Sequence, residues 1–183
     1  MTLNKKLYII FKGSDSLNLY IITGPAGVGK STVSANLANK LTKSALIEGD
    51  DIYNQVKSSY VSAWKEGNHL DVFWKICFEN IKIYLKNGYD VVFNYIVTPD
   101  ILPKLKEEFK NYYIKFVILL TDEKTLLSRD KGRPEEIQMK ERCIVLLNSF
   151  KEKNYDKKHI LDTSNLSVDE TVNAILTDDK FYL

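Results

Sequence analysis

"LYIITGPAGVGKST", residues 19–32, joins a short apolar run, a glycine-rich turn and the opening of a helical pattern. Within it, "GPAGVGKS" (24–31) fits the spacing G-x-x-x-x-G-K-[ST]. The spacing follows from the chemistry of an anion. Glycines let the main chain wrap closely around a charged group without Cβ clashes. The loop amides and the helix N-terminus then point at that group, as they do for phosphates. The expected cradle is Gly24, Pro25, Ala26, Gly27, Val28, Gly29, Lys30, Ser31 and Thr32. Lys30 supplies a mobile positive charge for the outer phosphates of ATP. The Ser31 hydroxyl is an oxygen ligand suited to Mg²⁺, which keeps most of its waters. The bland alternative is a glycine turn with no ligand. Against it stands the context: the motif lies between a strand and a helix whose Val33, Leu37, Ala38 and Leu41 share one face.

The rest of the chain alternates. "SALIEGD" (44–50) reads as a second strand, followed by an aromatic-rich irregular stretch and a helix over roughly 70–87. That helix carries a stripe of Phe73, Ile76, Cys77, Ile81 and Tyr84, and "NGYD" stops it. "DVVFNYI" (90–96) is a third strand, apolar throughout as a strand covered on both faces should be. A helix over 99–110 leads to a fourth strand, "YYIKFVILL" (112–120). Two charged helical segments, split at Gly132 and Pro134, precede a short last strand in "KHILDTS" (158–164) and a capped helix, "SVDETVNAIL". Strands alternating with helices predict an α/β fold of three layers, with a central parallel sheet of about five strands. "LYII" also occurs at 7–10, but without a glycine loop behind it, so residues 1–16 are assigned to an N-terminal extension and 17–183 to one domain.

The second strand ends in a knot of carboxylates, "IEGDDIY" (47–53). Residues two apart on a strand share a face, which puts Glu48 and Asp50 on one side. Ligands of open parallel sheets sit beyond the carboxyl ends of the strands, so both acids are expected beside the phosphate loop. Asp50 is assigned as the base that takes the proton of an attacking hydroxyl. Glu48 is assigned to a water of the metal, and Asp51 to a helix cap. The alternative for all three is a set of caps and solvated charges.

"LYIITGPAGVGKST", "IEGDD" and "SRDKGRPEEIQMKER" (128–142) together resemble the small P-loop kinases of the gluconate kinase and shikimate kinase type, over nearly the whole chain from residue 17. The resemblance implies a carboxylate pair serving metal and acceptor hydroxyl, mapped onto Glu48 and Asp50. It implies an arginine-bearing lid that closes on ATP, mapped onto the segment around Arg129 and Arg133. It also implies a border for the adenine, mapped onto "LDTSNLS" (161–167). Three departures leave the acceptor open. "DIYNQ" replaces the usual His-Pro of gluconate kinases, "NYIVTPD" replaces the glycine triplet of shikimate kinases, and Asn94 stands where many relatives carry an aspartate for the metal.

In the lid segment, guanidinium groups suit phosphoryl oxygens because they donate in a planar fork. Gly132 and Pro134 break the helix and would let it move. Arg142, on the helix returning to the sheet, is a candidate for the acceptor side. The acceptor insert, about 51–70, brings Tyr53, Tyr60 and Trp64, with His69 among them. Tyr53 and Trp64 are candidate substrate residues, and the competing reading is a small aromatic core. The insert is short, which favours a small-molecule acceptor.

Composition narrows the partners. A formal net charge of +2 with acids and bases intermixed offers no basic tract, so no nucleic acid partner is expected. The longest apolar runs are too short to cross a bilayer, and no secretory signal is legible, so no membrane partner and a cytoplasmic location are expected. Cys77 and Cys143 have no metal-ligand spacing and read as buried thiols. A monomer and a homodimer both fit. The expected activity is a phosphotransferase using ATP and Mg²⁺ with a small hydroxylated acceptor. The alternatives are a nucleoside monophosphate kinase and an ATP-binding regulatory or toxin-like module. Residues 51–90 contain no arginine to hold a second phosphate, which weighs against the first of these.

Overall fold

A computed structural model of the protein describes residues 17–183; the extension assigned to 1–16 lies outside the described residues. Five strands, β1 (Asn18–Thr23), β2 (Ser44–Glu48), β3 (Asp90–Asn94), β4 (Tyr113–Leu120) and β5 (Ile160–Asp162), form one parallel sheet in the order β2-β3-β1-β4-β5. The helices are α1 (Lys30–Lys40), α2 (Gly49–Tyr53), α3 (Leu70–Lys86), α4 (Leu102–Glu108), α5 (Glu123–Lys131), α6 (Arg142–Glu152) and α7 (Val168–Thr177). The expected α/β architecture is the observed one.

The period of two along each strand divides the core into two layers. Leu19, Ile21, Val91, Phe93 and Phe116 face α3 and α4, where Phe73, Cys77, Ile81 and Leu105 meet them. Tyr20, Ile22, Val92, Val117 and Leu119 face the opposite way, onto Val33 and Leu37 of α1 and Val172 and Ile175 of α7. One charged residue breaks this pattern. Lys115 of β4 is almost fully buried, and its ammonium donates to the carbonyls of Ile175, Leu176 and Asp178 at 2.9, 2.8 and 3.3 Å. It satisfies acceptors that a helix C-terminus leaves open, with the sign of charge the helix dipole favours there. At the other end of α7, Ser167 and Glu170 form a reciprocal capping box.

Three expectations need correction. The second strand stops at Glu48, and α2 begins at Gly49. Asp50 therefore stands on a helical turn, and strand alternation does not relate it to Glu48. Asp51 is inside that turn as well; Glu48 holds the cap position, with no side-chain cap hydrogen bond. On α3, Ile76 and Tyr84 point outward, while Trp74, Phe78 and Leu85 join Phe73, Cys77 and Ile81 in the core. The expected stripe was rotated toward solvent because two adjacent apolar faces of α3 compete, and only the sheet decides between them.

Gly49, where β2 gives way to α2, has no room for a side chain. A Cβ on Gly49 would lie 2.5–2.8 Å from the ring and Cβ of Tyr95. The Tyr95 ring thus lies directly on the main chain where strand turns into helix.

Candidate active site

The phosphate loop leaves β1 and enters α1. Gly27 and Gly29 both adopt positive φ (83° and 103°), which L-residues with side chains rarely do. Gly29 occupies the helix cap position, no side chain hydrogen-bonds into it, and the first turn of α1 contains no acid. The amides that other helices satisfy with a cap are therefore directed into the loop. Lys30 Nζ spans the loop and donates to Pro25 O at 3.0 Å. Burial pulls its pKa down to about 8, with Asp50 and Glu48 opposing the shift and Arg133 adding to it.

A cavity of about 660 Å³ opens over this loop, and Lys30, Ser31, Asp50, Asn94, Arg129 and Arg133 all border it. The structure thus brings the loop, Asp50 and two of the three arginines of the 128–142 segment to one space; Arg142 does not border it. The sheet register explains part of this. Glu48 pairs with Asn94, and Asn94 with Ile22, so the ends of three adjacent strands lie side by side. Asn94 follows Val92 on the α1 face, and its amide donates to Ser31 Oγ at 3.0 Å and to a carboxylate oxygen of Glu48. Burial pushes the Glu48 carboxyl above its ordinary range; that amide bond works the other way, and the nearby charges of Asp51 and Asp50 add to the rise.

Asn94 lacks the charge of an aspartate, yet in the fold it connects Ser31 and Glu48, the two residues expected at the metal, a link that no local spacing signals. Its Oδ1 is buried without a hydrogen-bond partner. That orphaned acceptor, the Ser31 hydroxyl and the Glu48 carboxylate form an oxygen-rich edge. Among the described residues no cluster of three His, Cys, Asp or Glu side chains could hold a metal. Such a donor set fits Mg²⁺ bound through one hydroxyl and ordered waters, and does not fit an all-protein cage.

The two lid arginines are used differently. Arg129 donates to Val28 O at 2.9 Å, to Thr163 Oγ1 at 3.0 Å and to Thr163 O at 2.8 Å. It braces the phosphate loop against the turn after β5, the stretch expected to border the adenine. Arg133 pairs with Asp130 at 3.2 Å. Asp130 itself was not singled out from the sequence, where one acid within "SRDKGRPEE" carries no signal of burial. Burial alone would raise its pKa, but hydrogen bonds from the Met139 and Lys140 amides, the Cys143 thiol and Arg133 hold it below the usual carboxylate range.

The acceptor-side candidates separate. Tyr53 is buried, its hydroxyl donates to Val61 O at 2.7 Å, and its ring stacks on His69 with centroids 4.0 Å apart. It belongs to the aromatic core of the insert. Trp64 is 69% exposed, and the Arg142 guanidinium lies 4.6 Å from its ring centroid, which links the insert to the start of α6. His69 occupies the cap position of α3. Among the described residues no helix is long and apolar enough to cross a membrane.

Comparison with known proteins agrees with this architecture. A family model described as an AAA domain, AAA_33, matches residues 19–145. A search of curated proteins finds no match. Among solved structures, the chain is similar to a gluconokinase from Sinorhizobium meliloti 1021, with a TM-score of 0.62 and 22% identity over 87% of this chain and 89% of that one. It is similar to the tunicamycin resistance protein of Deinococcus radiodurans, with a TM-score of 0.62 and 15% identity over 87% and 93%. A thymidylate kinase from Candida albicans gives 0.58 and 16% over 88% and 90%. At these identities the likeness is one of fold: that of a small P-loop kinase.

Proposed function

The chain belongs to the AAA-domain family matched through its phosphate loop, and from that membership we propose that it is an ATP-dependent phosphotransferase acting on a hydroxyl of a small molecule. The observation that carries the proposal is the shared cavity: an uncapped helix N-terminus with Lys30 on one side, and Asp50 bordering the same space. In this reading the amides from Gly24 to Thr32 and the Lys30 ammonium hold the phosphates. The Asp50 carboxylate accepts the proton of the acceptor hydroxyl as its oxygen bonds to the terminal phosphorus and ADP departs. Arg133 offers its guanidinium to the transferring oxygens, and Arg129 keeps the loop in shape from behind. Ser31 would ligate Mg²⁺ directly, and Glu48 would order one of its waters, with Asn94 setting the distance between them. When bound, that ion would supply charge neutralisation for the phosphates. In this reading segment 128–142 acts as the lid, and residues 51–70, which follow Asp50 in the chain and lie outside the cavity lining, are the segment that would meet the acceptor.

A second reading, with a nucleoside monophosphate as acceptor, draws on the Arg142–Trp64 stack, which brings a guanidinium to a wall that has no arginine of its own. A coupled ADP-release assay across sugar acids, shikimate, nucleosides, nucleoside monophosphates and hydroxylated antibiotics separates the two. Release that depends on a non-phosphorylated alcohol supports the first reading. Release only with monophosphates supports the second. Tight ATP binding with no acceptor-dependent release overturns both in favour of a nucleotide-binding module.

A further inference from the structure

Asp130 sits in the last turn of α5 and is 2% exposed. Both of its carboxylate oxygens accept the main-chain N–H of Met139, at 3.1 and 2.9 Å, and Oδ2 also accepts that of Lys140 at 2.7 Å. Arg133 donates to Oδ1 at 3.2 Å. Residues 131–141 therefore fold back onto their own root. Gln138 ties the same loop from inside, donating to Lys131 O at 3.2 Å and Arg133 O at 2.7 Å.

Two physical points make this more than a packing detail. An ionised carboxylate is costly to bury unless hydrogen bonds and charge compensate it, and here the compensating donors all come from the loop and the helix after it. Lys140 also holds φ at +50°, a conformation that a residue with a side chain avoids unless its surroundings impose it. The N–H of that residue is one of those fixed by Asp130. Meanwhile Arg133 borders the same cavity as Lys30, near enough for its charge to act on that lysine.

We infer that Asp130 is a positioning residue: it ties loop 131–141 into a preformed clasp and sets the Arg133 guanidinium toward the phosphate loop. This inference rests on reading the cavity as a nucleotide site. It recasts the segment as a folded unit that meets the nucleotide whole. The Gly132 and Pro134 breaks then serve the turn of the clasp.

The test is a double-mutant cycle of Asp130→Asn and Arg133→Ala, read by calorimetric titration with a non-hydrolysable ATP analogue and by hydrogen exchange at the Met139 and Lys140 amides. Asparagine keeps the volume and one acceptor oxygen, and Arg133→Ala leaves the buried carboxylate bonded to its amides. Asp130→Asn should weaken analogue binding about tenfold, the size expected for losing a charge-assisted hydrogen bond. In the Arg133→Ala background it should weaken binding no further, because its effect runs through that arginine. The two amides should exchange faster in Asp130→Asn and unchanged in Arg133→Ala. An Asp130→Asn protein with wild-type affinity, or one whose loss adds in full to that of Arg133→Ala, overturns the positioning role. Unchanged amide exchange in Asp130→Asn overturns the clasp. Should the unsubstituted protein fail to bind the analogue, the nucleotide reading falls and with it the positioning role, while the exchange data still decide whether the clasp exists.

Discussion

The phosphate loop and the aromatic insert at 51–70 are built from different materials. The loop is main chain: amides at the start of α1, three glycines at positive φ and one lysine folded over them. The insert is side chain: the rings of Tyr53 and His69 packed beside Phe73, with Trp64 left in solvent under Arg142, and none of these residues borders the cavity over the loop. A main-chain site demands particular residues at particular spacings, because few residues reach the required dihedrals. A wall of rings can be assembled in many ways. The loop is therefore tightly constrained in sequence, and the insert is free to vary.

That contrast can be broken in order of expected effect. Asp50→Asn should leave ATP affinity intact and lower acceptor-dependent ADP release about 10²–10⁴-fold, the range of general-base catalysis; single-turnover transfer measures it, and unchanged transfer removes Asp50 from the chemistry. Lys30→Ala should cost roughly 10²–10³ in turnover, as for loss of one preorganised charge at a transferring group, along with most of the nucleotide affinity. Normal turnover in that variant would mean that the loop is not the phosphate site. Gly49→Ala forces a Cβ into the Tyr95 ring and should destabilise the fold by about 1–3 kcal/mol. It should also displace Asp50, so thermal melting and transfer rate ought to fall together; a variant that melts normally would show the ring free to move aside.

The smallest effect concerns pH. Lys30 titrates near 8 without ligand, and phosphates favour its charged form, so binding raises its pKa. Affinity for ATP is then full well below pH 8 and declines as pH rises through it, by at most about tenfold per pH unit. Calorimetry in buffers of different ionisation enthalpy should register proton uptake on binding above that pH. Proton release there would contradict the assignment of Lys30 to the phosphates.

The same contrast sets how much could be read from the sequence. The loop and the alternation of strands and helices were legible, because local spacing dictates them, whereas the end of β2 at Glu48 was not. Asp50 reached the cavity for a different reason from the one expected. Its helix starts at Gly49, which packs against the Tyr95 ring from the next strand's end, a contact with no local signature. The bridging role of Asn94 and the burial of Asp130 were hidden for a similar cause. Their significance lies in what they touch, Ser31 and Glu48 for one, Met139 and Lys140 for the other, and those partners are assembled only by the tertiary fold. Trp74, Phe78 and Leu85 entered the core in place of Ile76 and Tyr84 because α3 is apolar on more than one face.

Arg129 ties Val28 to Thr163 before any nucleotide arrives. The base-side turn and the phosphate loop are thereby mechanically joined, so a disturbance at one is felt at the other. A loop braced in this way loses little freedom when it is filled. On the function proposed above, its grip on a polyphosphate chain would be largely indifferent to which base hangs from it, and discrimination among nucleotides would fall to the turn on the far side of that arginine.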